Sequence, residues 1–120
     1  MGDTMPKTKI LVTIKNEEED TSYEVPAILQ DCMIKYKEKN NTTVLYDYKK
    51  NKLVRENEDL RMDYLFDMHK QTEGIIKIKE LGQVIKLIIE TKKIERINHN
   101  IEIRFSIEKK DFLYKIEEIK

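Results

Sequence analysis

Between Gly74 and Ile107 the chain keeps a two-residue rhythm that few folds accept. Ile76 and Ile78 alternate with Lys77 and Lys79, and Ile85, Leu87 and Ile89 alternate with Lys86, Ile88 and Glu90. Ile101, Ile103, Phe105 and Ile107 then alternate with Glu102, Arg104, Ser106 and Glu108. Successive side chains of a strand point to opposite faces, so this period sends an apolar row inward and a charged row outward. The apolar row is mostly β-branched, as a pleated, half-buried surface favours.

The same rhythm runs through the rest of the chain. Ile10, Val12 and Ile14 alternate along residues 7–15, ahead of an acidic turn at residues 16–20. Tyr23, Val25 and Ala27 open the next strand, where Pro26 cannot donate to a ladder and so marks an edge, a bulge or a strand end. Cys32, Ile34 and Tyr36 form one inward row, and Val44, Tyr46 and Tyr48 the next. Leu60, Met62, Tyr64, Phe66 and Met68 keep strict spacing opposite Asp59, Arg61, Asp63, Leu65 and Asp67. Residues 52–71 have a rival helical reading through Leu53, Leu60, Tyr64 and Met68, but more positions obey the two-residue period. Gly82 closes a hairpin at Glu80-Leu81-Gly82, the strand from Gln83 runs on toward Ile97, and turns at Asn98–Asn100 and Lys109–Asp111 separate the last strands.

About eight to ten short strands joined by hairpins describe an all-β, antiparallel up-and-down meander barrel. The expected layout is a flexible tail at residues 1–6 and one barrel domain at residues 7–120. With 38% charged residues and a formal net charge of zero, the chain has little long-range attraction for phosphate, which argues against nucleic acid. No apolar run reaches membrane-span length, and the N-terminus lacks an apolar signal core. The single cysteine fits a reducing compartment, and the expected location is cytoplasmic.

Candidate chemistry is sparse. His69 and His99 lie far apart with no ligand spacing, so no metal and no cofactor is expected. Ser22 and Ser106 sit in no nucleophile elbow, and no catalytic residue is assigned. Cys32, on an apolar row, reads as a buried structural thiol before it reads as a nucleophile. Arg55 shares parity with Leu53 and points inward. There it is an anchor for an anionic head group or, more plainly, a partner for an inward Glu or Tyr hydroxyl or a side chain that snorkels out of the barrel mouth. Tyr36, Tyr46, Tyr64, Phe66 and Phe105, with Tyr48 and Tyr114, fall on the inner rows, where aromatics line a pocket or simply fill a core.

Val54-Arg55, Met62, Phe66, Gly82, Thr91, Ile94 and the run Ile101-Glu102-Ile103-Arg104-Phe105 follow one another in an order that resembles a bacterial family of uncharacterised proteins, domain of unknown function 1934. The resemblance is best over residues 53–119 and implies a barrel of the lipocalin/streptavidin (calycin) type. The Arg-x-Gly of that family stands here as Arg55-Glu56-Asn57.

The leading functional expectation is a non-enzymatic module binding a small apolar or amphipathic molecule inside the barrel through Arg55, Tyr36, Tyr46, Tyr64, Phe66 and Phe105. The alternative is a filled barrel, monomer or homodimer, that self-associates or docks a protein through outward apolar residues such as Leu11, Met33, Leu65 and Ile88. An enzyme ranks third.

Overall fold

The structure, a computed structural model, describes residues 7–119 and, of Asn40, the backbone. The expected tail at residues 1–6 lies outside the described residues, as does Lys120.

The strands are β1 (Lys7–Lys15), β2 (Asp20–Gln30), β3 (Met33–Glu38), β4 (Thr42–Asp47), β5 (Lys52–Glu56), β6 (Leu60–Leu65), β7 (Thr72–Ile78), β8 (Gln83–Ile97), β9 (Asn100–Ile107) and β10 (Lys110–Ile119). Each pairs antiparallel with the next in sequence, and β1 pairs with β10 to close a ten-stranded barrel. Residues 52–71 form β5, β6 and loops. Among the described residues the one helical element is a 3-10 turn at Lys39–Asn41.

Polar side chains that tie their own turns make the hairpins. Asn16 accepts hydrogen bonds from the amides of Glu18 and Glu19, Asp47 from Lys49 and Lys50, and Asn57 from Asp59 and Leu60, so each replaces ladder bonds that a tight turn gives up. Gly82 takes φ +61° at the end of the β7–β8 hairpin, a conformation that suits a residue without Cβ.

The inner rows build one continuous core. Ile10, Val12, Ile34, Val44, Tyr46, Ile89, Ile103 and Ile116 have no exposure. The alternation fails in three places. Cys32 is exposed, because Asp31 and Cys32 form the two-residue turn between the paired Gln30 and Met33, and Asp31 takes φ 50°. It is not the buried thiol its parity suggested. Met68 is 47% exposed, because β6 stops at Leu65 and the chain turns away to let Asp67 donate its amide to the Thr91 hydroxyl. In β8 a bulge between Thr91 and Lys93 shifts the phase, so the inward set passes from odd positions (Leu87, Ile89, Thr91) to even ones (Ile94).

Candidate functional site

Three features stand out: the barrel interior, a rim concavity and the exposed edge of β8.

The interior holds every aromatic candidate. Tyr36, Tyr46, Tyr64, Phe66 and Phe105 are between 0% and 9% exposed. Phe66 and Phe105 meet at 4.9 Å between ring centroids, and Tyr64 stands edge-on to both at 6.5 and 6.2 Å. Tyr46 packs edge-on against Tyr48 at 5.3 Å and lies 6.4 Å from Tyr114. The rings touch one another and leave little between them. Opposite Tyr64, β7 carries Gly74, where an added Cβ would stand 2.9 Å from Tyr64 Cδ1 and 3.0 Å from Ile89 Cδ1. The ring therefore occupies the space that a side chain would take, and the barrel is filled at this level.

Arg55 does face inward, and its guanidinium is already matched. Nη2 donates to Glu38 Oε1, and the Tyr23 hydroxyl donates to Glu38 Oε2. The hydroxyls of Tyr36 and Tyr114 share a hydrogen bond of 2.5 Å in the same region. Burial works against the charge of Arg55, but Glu38 beside it prevails and holds its pKa above the ordinary value. Burial, then the hydrogen bond to Glu38, pushes Tyr23 up; burial, then Tyr114, pushes Tyr36 up. Arg55 Nε is buried without a partner. Sequence parity put Arg55 inside and called for an inward Glu or Tyr hydroxyl as its partner, without singling out Glu38. The signal missed was that β3 and β5 both flank β4, which brings the two together.

The rim concavity, of about 640 Å³, lies between the Asn16–Glu19 turn and the start of β10. Its apolar floor is Phe105 and Phe112, stacked 5.3 Å apart at 11°, and its sides carry Lys92 paired with Asp111 at 2.8 Å. Of the predicted ligand residues it touches Phe105.

The β8 edge arises from length. From Gln83 to Ile89 the strand pairs with β7, but β9 reaches it only from Ile89 onward. Gln83–Ile88 thus have no strand on their second side among the described residues, and the backbone hydrogen bonds outside the ladders do not use them. The segment reads Gln-Val-Ile-Lys-Leu-Ile, with Val84 51%, Ile85 37% and Ile88 55% exposed. Leu81 at the hairpin tip is 72% exposed, and Leu65 and Ile75 on the outer rows of β6 and β7 are 39% and 38%. Of the outward residues singled out from sequence, Leu65 and Ile88 join this region, whereas Leu11 and Met33 lie on distant strands.

A second uncovered edge is treated differently. On β2, β3 covers only Ala27–Gln30, so Asp20–Pro26 are open on that side. Pro26 is the first uncovered residue, and Asp20, Ser22 and Glu24 follow outward along the strand. Proline and charge are common means of keeping an edge from pairing. The β8 edge has neither proline nor bulge, and only Lys86 interrupts its apolar run.

Among the described residues no cluster of His, Cys, Asp and Glu could hold a metal. His69 is exposed, and His99 Nδ1 lies 3.6 Å from Glu118.

No protein-family model matches the chain, and no curated protein matches it. Among solved structures, the crystal structure of ywiB protein from Bacillus subtilis is similar, with a TM-score of 0.56 and 13% sequence identity. The likeness covers 95% of this chain and 91% of that one, and at this identity it shows the shared fold.

Proposed function

We propose that this chain is a non-catalytic interaction module: a barrel packed by its own side chains that docks a protein by accepting a strand at the free edge of β8. The observation that carries this reading is the open, mostly apolar edge at Gln83–Ile88, where Lys86 is the one charged residue. Unpaired backbone groups supply affinity when a strand is added, and the alternating side chains supply specificity. The likeness to ywiB supports the barrel shape, and the order of residues from Val54 to Phe105 supports placing the chain with domain of unknown function 1934 and its calycin-type barrels.

The test is photo-crosslinking in a bacterial host, with a benzophenone amino acid at Val84 and, as control, at Glu24 beside Pro26. A discrete protein adduct at Val84 and none at Glu24 is the expected result. No adduct at Val84, or equal labelling at both positions, overturns the reading.

The stacked Phe105 and Phe112 floor favours a second reading, a small apolar ligand held at the rim. Saturable binding of such a molecule, lost in Phe112→Ala, would support it.

A further inference from the structure

We infer that the strand added at the β8 edge comes from a second copy of this chain, through Gly82–Ile88 and about a twofold axis at Ile85. The inference rests on the docking reading above and names its partner.

Antiparallel pairing about a twofold axis perpendicular to the sheet sets each residue opposite one of the same parity, so inner rows continue into inner rows. An axis at Lys86 sets Lys86 opposite itself, and like charges directly opposite are destabilising. An axis at Leu87 sets Ile85 of the copy opposite Ile89, a place that Ile107 already holds. An axis at Val84 shortens the ladder. An axis at Ile85 avoids all three difficulties. It opposes Ile85 with its own copy, Val84 with Lys86, Gln83 with Leu87 and Gly82 with Ile88. The aliphatic stem of Lys86 then lies along Val84 while its ammonium stays in water.

This register also places the hairpin tip. Once Gly82 of the copy is opposite Ile88, Leu81 and Glu80 of the copy arrive at the step where β9 ends. A concavity of about 550 Å³ opens there, with Leu87 and Ile88 on one side and otherwise polar and charged side chains, among them Glu90, Lys92, Lys109 and Asp111. The most exposed of the large apolar side chains, Leu81, meets Leu87 and Ile88 in an otherwise polar recess, and Glu80 comes beside Lys109. Symmetry supplies both insertions twice. A net charge of zero raises no long-range repulsion between copies.

Sedimentation velocity of the full chain, at concentrations up to about 100 μM to cover micromolar affinities, is expected to show a monomer–dimer equilibrium. Leu81→Asp with Val84→Lys, at two exposed positions, should weaken it at least about tenfold with the far-ultraviolet circular dichroism unchanged. In a Cys32→Ser background, Ile85→Cys should give a disulfide-linked dimer under mild oxidant, since opposed strand residues lie within disulfide reach. Lys86→Cys and Leu87→Cys should crosslink far more slowly. A wild-type chain that stays monomeric, or equal crosslinking at the three positions, overturns the inference. A monomer whose Val84 photoproduct is a different protein overturns the second copy and leaves the docking module standing.

Discussion

Gly74→Ala measures how full the barrel is. The new methyl would stand 2.9 Å from Tyr64 Cδ1 and 3.0 Å from both Tyr64 Cε1 and Ile89 Cδ1, closer than carbon atoms pack, so the ring or the strand must move. Tyr64 cannot retreat freely, since Phe66 and Phe105 stand edge-on to its ring at 6.5 and 6.2 Å. Overpacking of this kind costs about 1–3 kcal/mol. Against it, replacing a strand glycine by alanine recovers about 0.5–1 kcal/mol of conformational entropy. The net expectation is a loss of about 1–2 kcal/mol, a fall in Tm of about 4–8 °C for a domain of this size. Urea unfolding of the single variant, of Tyr64→Val and of the double variant completes the cycle. In the Tyr64→Val background the methyl has room, so Gly74→Ala should turn neutral or slightly stabilising, with a coupling of at least about 1 kcal/mol. A Gly74→Ala variant as stable as the parent, with no coupling to Tyr64, would refute the argument. The ring would then have free volume to swing into, and a ligand could use it.

The inner ion pair and the tyrosines are separately testable. Glu38→Ala leaves the Arg55 guanidinium, whose Nε already lacks a partner, without its carboxylate. The loss should be about 2 kcal/mol, below the 3–5 of a fully buried pair because the Arg55 side chain is 34% exposed; Arg55→Met with Glu38→Leu should recover most of it, and an unchanged urea midpoint in the single variant would dismiss the pair. All six tyrosines are pushed up by burial, Tyr48 to about 12 and Tyr36 and Tyr114 well beyond the ordinary phenol value. The folded state therefore holds phenolic protons that the unfolded state releases near pH 10. The tyrosines' contribution to stability is constant below that pH and falls as pH rises through it. A spectrophotometric titration at 295 nm should show almost no tyrosinate until the chain unfolds cooperatively, and a half-maximal rise at pH 10 in the folded protein would contradict the packing.

The fold was legible where one face of a strand is buried for its whole length. Ile101, Ile103, Phe105 and Ile107 could face inward only one way, because a slip of one residue would bury Glu102 and Arg104. Period alone is blind to what interrupts it. Cys32 has the parity of Ile34 and Tyr36 but falls in the turn, and parity says nothing of where a strand stops. The β8 bulge did leave a trace, since apolar residues move from odd to even positions between Ile89 and Ile94. Inward Arg55 was legible by the same parity as Leu53, and its partner Glu38 was not, because their meeting depends on two strands flanking a third. The β8 edge was the least visible. Val84, Ile85 and Leu87 look the same whether or not β9 covers them, and where β9 ends is set by the turn at Glu108–Lys109, far along the chain.

That hidden edge carries the sharpest contrast in the molecule. Two of the stretches that the strand pairing leaves uncovered among the described residues make the contrast, and a chain under pressure only to stay dispersed would guard both alike. On β2 the guard is present: Pro26 at the first open position, then Glu24, Ser22 and Asp20. On β8 the open stretch is mostly Val, Ile and Leu, the composition that drives strands to pair. The neighbouring outer face adds Leu81, Ile75 and Leu65, interleaved with Glu73, Lys77 and Lys86, so the exposed apolar side chains number more than one. A long exposed strand of this kind is tolerable when something specific covers it. The hairpin supplies a tip, the step beside Lys109 supplies a recess for it, and the longest ladder between them that avoids opposed lysines and occupied positions has its axis at Ile85.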